Sequence, residues 1–255
     1  MVVDVFNTPL YYISFNKKPR LEKELRKLGF NNINHFEAID GRKFDLKKLL
    51  EKNIITIRTY NDLIYGREQH TGMPTPGGIG CTLSHRSLWK LCIDQKLPYI
   101  TIVEDDVKFK NPITDKDIEN INNSLKKPNG MFVSSHNYNK GSEYFFGLQF
   151  YMLTNGCAKE IYKYSLPIDV QTDAYINNIN NRGLINIEGY NLCSQSVHKS
   201  SIQDFCLKCR LPKNPLFYIL IILFIIMLII LYIYNKKQLT NTRSELNSCR
   251  SSCMI

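Results

Sequence analysis

From Leu216 to Tyr234 the chain reads LFYILIILFIIMLIILYIY, 19 residues without one charge. At the rise of an α-helix this run extends roughly 28 Å, about the hydrocarbon thickness of a bilayer. A buried core helix of such uniform apolarity does not suit so small a protein, and the segment is read as a transmembrane helix over 216–234. Asn214-Pro215 supplies a start and Lys236-Lys237 a stop, while Tyr218, Tyr232 and Tyr234 fall near the ends, where amphipathic rings favour the interface. Lysines and arginines flank the run on both sides, so the positive-inside rule leaves its orientation open. Nothing at the N-terminus resembles a signal peptide, because Asp4 interrupts it and no apolar run precedes Lys17-Lys18. The expectation is a tail anchor: a domain over 1–198 facing the cytosol, a juxtamembrane linker over 199–215, the helix, and a short polar tail over 235–255.

The part before the linker is long enough for one well-cored domain. A hydrophobic content of 44%, with 15 Tyr and 13 Phe, excludes wholesale disorder. The net charge of +10 suits anionic partners such as nucleotide diphosphates or membrane phosphates. The basic residues are scattered lysines with no nucleic-acid module among them, so nucleic acid is not an expected partner. Of the 8 cysteines, Cys81, Cys92 and Cys157 lie in apolar surroundings, where Cys behaves as a small hydrophobe, and no disulfide framework is expected. Cys206 and Cys209 form a lone CxxC with Cys193 and His198 upstream, a spacing that matches no established zinc pattern. Cys249 and Cys253 are open to acylation, but Cys253 stands third from the end and makes no prenylation site.

Short apolar strands alternate with amphipathic helices, the pattern of an α/β domain. Strands are predicted at Leu10–Phe15, Ile33–Ile39, Tyr99–Val103, Met131–Ser134 and Leu148–Leu153. Helices are predicted from Pro19 to Leu28, over Leu46–Glu51 and Ile79–Gln95, from Ala158 to about Tyr164, and over Asp173–Asn181. Tyr60 to Gly77 has no clear period and reads as a long loop.

The most informative local feature is Tyr99-Ile-Thr-Ile-Val-Glu104-Asp105-Asp106. An apolar run followed at once by carboxylates puts acids where a buried strand meets solvent. On an extended backbone Glu104 and Asp106 share one face, since side chains alternate with period two. Two carboxylates on one face can hold a hard divalent cation with positions left for phosphate oxygens. They can equally be an acidic strand end that caps a neighbouring helix.

Gly77-Gly78-Ile79-Gly80-Cys81-Thr82-Leu83-Ser84-His85-Arg86-Ser87-Leu88-Trp89, followed by Ile102-Val103-Glu104-Asp105-Asp106-Val107, resembles glycosyltransferase family 25. That family includes bacterial lipooligosaccharide and procollagen galactosyltransferases, and its wording is a G-C-x-L-S-H helix followed by an apolar strand closing on E-D-D. Weaker matches are Ile13 to Arg20, Phe36-Glu37-Ala38-Ile39-Asp40-Gly41, Gly147–Thr154, Pro167-Ile168-Asp169 to Asp173, and Gln195. Ser14, Asn16 and Gly78 depart from the family's usual Asn, acidic residue and Glu. The resemblance implies a GT-A-like nucleotide-sugar fold and transfer of a sugar, often galactose, from a UDP-sugar to a protein or glycan hydroxyl. It gives Glu104 and Asp106 to Mn²⁺ (or Mg²⁺) and puts Asp105, Ser84 and His85 beside the donor. Gly80 belongs to the glycine-led helix start, where backbone N–H groups face phosphate.

An inverting transfer needs a base for the acceptor hydroxyl. Asp173 is the first candidate and Asp169 the second, each with helix N-capping as the alternative. His85 reads either as a donor neighbour or as a core-bonded helix residue, and Arg20 either as a diphosphate contact or as an ordinary exposed residue. Two rivals remain at this stage: a degenerate sugar-nucleotide-binding domain, and a basic membrane scaffold. A phosphohydrolase would need more His and Asp ligands than the chain assembles.

Overall fold

The computed structural model describes residues 2–134, 145, 147–195, 220 and 222–237. The chain falls into two compact units, Met1–Cys209 and Arg210–Ile255. In the first, a six-stranded sheet is built from β1 (Leu10–Ser14), β2 (Ile33–Glu37), β3 (Tyr99–Glu104), β5 (Gly130–Ser134), β6 (Phe150–Thr154) and β7 (Asn186–Gly189), in the order β2-β1-β3-β6-β5-β7. β1 runs parallel to β2 and β3, and β5 to β7; β6 is antiparallel to β3 and β5. A two-stranded ribbon pairs β4 (Val107–Phe109) with β8 (Cys193–Gln195).

Period-two alternation in β3 builds both faces of the core. Ile100 and Ile102 lie in one cluster with Leu88, Trp89, Tyr151, Ala158 and Ile176, beneath the helices α4 (Pro76–Asp94), α6 (Asn155–Lys163) and α7 (Thr172–Asn181). Val103 lies in the other, with Leu21, Leu25, Ile121 and Phe132, beneath α1 (Pro19–Lys27) and α5 (Asp115–Leu125). A sheet covered on both faces explains why YITIV reads as a continuous apolar run. Glu104 continues the Ile100–Ile102 row and so emerges on the side of α4.

A smaller cluster of Leu49, Ile55, Met73, Ile79 and Ile168 involves α2 (Leu46–Glu51) and the start of α4. Here the structure departs from the expected loop over Tyr60 to Gly77, because α3 occupies Ile57–Tyr65. The Thr56 hydroxyl accepts the Thr59 N–H and starts this helix. Ile57, Ile64 and Tyr65 face solvent, and that hides its helical period from a hydrophobicity reading. α5 buries polar Asn122 and Ser124 beside Ile121 and Leu125 and starts on a capping box, in which Thr114 and Asp117 exchange side-chain-to-backbone hydrogen bonds. Thr114→Ala is expected to lower the unfolding free energy by about 1 kcal/mol, read from urea unfolding of the full chain.

In the second unit, residues 222–237 are helical and exposed along their length. Residues 216–219 and 221 of the predicted span lie outside the described residues, as do Cys206, Cys209, Cys249 and Cys253. Among the described residues no helix is long and apolar enough to cross a membrane.

Candidate active site at the carboxyl edge of the sheet

After β1 the chain adds β2 on one side and later β3 on the other, so the strand order reverses at β1 and β3. Open α/β sheets bind ligands in the crevice outside the carboxyl ends of their strands at such a point. Glu104 ends β3 there, in register with Ile13 of β1. The antiparallel β6 begins at this edge and runs away from it, and the Glu104 N–H is bonded to Gln149 O at 3.0 Å.

α4 brings Cys81 and His85 to the same place, one helical turn apart on one face. His85 is 1% exposed. Its Nε2 lies 3.3 Å from Glu104 Oε1 and its Nδ1 2.8 Å from the Tyr151 hydroxyl, which accepts the Trp89 indole N–H at 3.0 Å. One proton assignment satisfies every atom: the Tyr151 O–H donates to Nδ1, and Nε2–H donates to Glu104. The chain Trp89–Tyr151–His85–Glu104 thus fixes the carboxylate from inside the core. Of the two roles considered for His85, this geometry is that of the core-bonded helix residue.

Burial pushes the Cys81 thiol well above its ordinary pKa, and the charges of Glu104, Asp173 and Asp106 add to the effect. Cys193 is raised to about 11, by burial first, with Glu104 and Asp106 again contributing. Glu104 and Asp106 are therefore within electrostatic reach of the same two thiols. Asp105 is engaged elsewhere, in an ion pair with Lys18 at 3.1 Å.

Asp173 stands in the first turn of α7. Its Oδ2 accepts the Gly147 N–H at 2.9 Å and its Oδ1 accepts the Ala174 N–H at 2.7 Å. Burial raises its pKa against these two hydrogen bonds, and the charge of Glu104 raises it further. The cap position itself belongs to Gln171, which makes no side-chain capping bond. The neighbouring Thr172 hydroxyl is 2.8 Å from that of Thr82, and this contact ties α7 to α4.

The remaining predicted residues sit apart from this cluster. Asp169 accepts from the Thr56 hydroxyl at 2.7 Å and pairs with Arg58 at 3.3 Å. It lines a cavity of about 210 Å³ whose walls include none of Cys81, His85, Glu104 and Asp173. Arg20 is exposed in the first turn of α1. The Ser84 hydroxyl donates to Gly80 O at 2.8 Å and accepts the Ile39 N–H at 2.9 Å. Gly78 and Gly80 lie within α4 rather than ahead of it, and a Cβ on Gly80 would stand 2.2 Å from Ile39 O. Both Ser84 and Gly80 thereby dock α4 onto the Ile39–Gly41 backbone. The Gln195 backbone is in β8, opposite Val107, and its side chain lies outside the described residues.

Tyr151, Thr172 and Gly147 lie in segments that match the family only weakly and carried no assigned role, because strand pairing and loop return, not spacing, bring them to the site. Cys81 behaves as the buried thiol the sequence suggested, and its spacing four residues before His85 sets both on one face of α4.

The chain is thus an α/β domain that gathers Glu104, His85 and Asp173 at its strand switch point, the place where domains of this architecture bind ligands. The family described as Glycosyltransferase family 25 (LPS biosynthesis protein) matches over residues 7–176. The chain belongs to that family. Human procollagen galactosyltransferase 2 is 35% identical over 102 residues, 39% of this chain and 16% of the relative. Mouse inactive glycosyltransferase 25 family member 3 is 35% identical over 75 residues, 29% of this chain and 12% of the relative. The chain thus matches less than a fifth of these relatives' lengths. The crystal structure of mouse xyloside xylosyltransferase 1 aligns over 71% of both chains at 10% identity, with a TM-score of 0.34.

Proposed function

We propose that residues 1–198 are the GT-A-like catalytic domain of a membrane-anchored glycosyltransferase. It moves a sugar, galactose by analogy with the named human relative, from a UDP donor to a hydroxyl on a protein or glycan. The observation that carries this reading is Glu104 at the carboxyl end of β3, with Asp106 in the turn that follows and the charges of all of Glu104, Asp106 and Asp173 acting on the same buried thiol, Cys81.

The donor set suits a hard cation at the carboxylates: oxygen ligands on a strand end match Mn²⁺ or Mg²⁺. Glu104 and Asp106 would hold it, and when bound it would neutralise charge on the leaving diphosphate. Through Nε2–H, His85 keeps Glu104 aimed at the crevice. Asp173 takes the proton of the acceptor hydroxyl, a role that its raised pKa favours because proton affinity rises with it. The two backbone N–H groups hold the carboxyl in place for that transfer. Exposed apolar residues along 222–237 support the anchor over 216–234, with the catalytic domain on the cytosolic side.

A second reading, a sugar-nucleotide-binding domain without turnover, is favoured by the inactive relative and by the departures at Ser14, Asn16 and Gly78. Nucleotide release from a panel of UDP- and GDP-sugars, with and without Mn²⁺, separates the two on the full chain. Mn²⁺-dependent release from one UDP-sugar is expected. A thermal shift with UDP-sugar but no release, even with acceptors supplied, supports the second reading. Neither binding nor release by folded protein would sink both.

A further inference from the structure

The geometry points to a thiophilic cation site formed by Cys81, His85 and Glu104, at which an ion of the Zn²⁺ type displaces the hard cation that Glu104 would share with Asp106. One ligand atom from each of the three residues lies within 4.8 Å of the other two. An ion with bonds of about 2.0–2.3 Å holds tetrahedral donors roughly 3.3–3.8 Å apart. The imidazole and carboxylate already meet this at 3.3 Å. Cys81 and His85 stand one turn apart on α4, and Glu104 ends a core strand, so two rigid elements present the donors.

The donor chemistry separates this set from a carboxylate pair. A thiolate, an imidazole and one carboxylate suit Zn²⁺ or Co²⁺, whereas Mn²⁺ and Mg²⁺ prefer oxygen alone. Three protein ligands leave a fourth position open, as in sites that exchange a water. An orienting shell is also present, since the second ring nitrogen of His85 contacts the Tyr151 hydroxyl and that hydroxyl is held by Trp89. With an ion on Nε2, the imidazole proton moves to Nδ1 and is donated to the Tyr151 oxygen, which still accepts the Trp89 N–H while its own O–H gives up its bond to the ring. The ring keeps one proton throughout. The Cys81 thiol loses its proton to solvent as the Cys81 sulfur–metal bond forms, so binding releases one proton. Because Glu104 serves both arrangements, occupation by a thiophilic ion competes with Mn²⁺.

Co²⁺ titration tests this on the full chain carrying Cys206→Ser, Cys209→Ser, Cys249→Ser and Cys253→Ser, which removes the thiols outside the catalytic domain. A near-ultraviolet sulfur-to-cobalt charge-transfer band is expected. The band should be absent in Cys81→Ser, retained in Asp106→Asn, and bleached by stoichiometric Zn²⁺ but not by Mn²⁺. No band with folded protein, or a band that survives Cys81→Ser, overturns the site. Should Cys81→Ser fail to fold, alkylation of Cys81 mapped by mass spectrometry decides: protection by Zn²⁺ is expected, and equal labelling overturns the site. Sugar transfer without the band would sink this inference and leave the transferase reading standing; the band without transfer would do the reverse.

Discussion

Asp173→Asn is expected to slow sugar transfer by about 10²–10⁴-fold, the range for loss of a positioned general base, while UDP-sugar affinity changes little. Asparagine keeps the shape of the side chain and removes the basic oxygen. Its single amide oxygen can accept from only one of the Gly147 and Ala174 N–H groups that the carboxylate now satisfies. One of these donors is left facing an amide NH₂, a loss of about 1–3 kcal/mol of stability, so urea unfolding accompanies the kinetics. The pH profile carries a sign. A base works ionised, so its rate is lost as pH falls through its pKa. Burial has raised that pKa, with Glu104 adding to the effect. The acid limb of kcat/KM should therefore lie above that of an ordinary aspartate and vanish in the variant. A rate loss below about tenfold, with the acid limb unmoved, would reduce Asp173 to a residue that fastens α7 to the Gly147 loop.

Gly80→Ala is expected to act on the fold instead, costing about 1–3 kcal/mol through overpacking. The new methyl would stand 2.2 Å from Ile39 O and 2.5 Å from Gly41 N, and both are backbone atoms that cannot rotate away. The facing glycine is equally constrained, because a Cβ on Gly41 would meet Pro76 O at 1.9 Å. At about 2–4 °C per kcal/mol for a domain of this size, the melting temperature should fall by several degrees. UDP-sugar affinity of the remaining folded protein should hold. An unchanged melting temperature with weakened donor binding would return Gly80 to the ligand-facing role that its place in the motif first suggested.

These two residues show where local pattern carries information and where it stops. β3 was legible because burial on both faces makes a strand apolar throughout, and its acidic end marks the sheet edge. α4 was legible from its length and its apolar positions. α3 and α5 were not: each starts on a single threonine, Thr56 or Thr114, α3 leaves Ile57, Ile64 and Tyr65 exposed, and α5 mixes polar Asn122 and Ser124 into its buried face. At the site, Glu104 was legible as the acidic end of β3, but the alternation expected to carry on to Asp106 stops there, because residues 105 and 106 form a turn and Asp105 pairs with Lys18. Tyr151 was not, because only the antiparallel return of β6 sets it beside Ile102 and under His85. Ser84 and Gly80 share the motif with His85, yet the packing of α4 on the Ile39–Gly41 backbone gives them a different task. Spacing along the chain does not reveal which face of a helix a neighbouring loop will cover.

Trp89 is the one tryptophan in the chain. Its indole N–H begins the run of contacts that ends on Glu104, so the fluorophore is linked by hydrogen bonds to a carboxylate at the crevice. Any event there that shifts charge or protons along Tyr151 and His85 alters the field felt by the indole. The protein therefore carries its own optical gauge of site occupancy, with no second tryptophan to blur the reading and no label to perturb it.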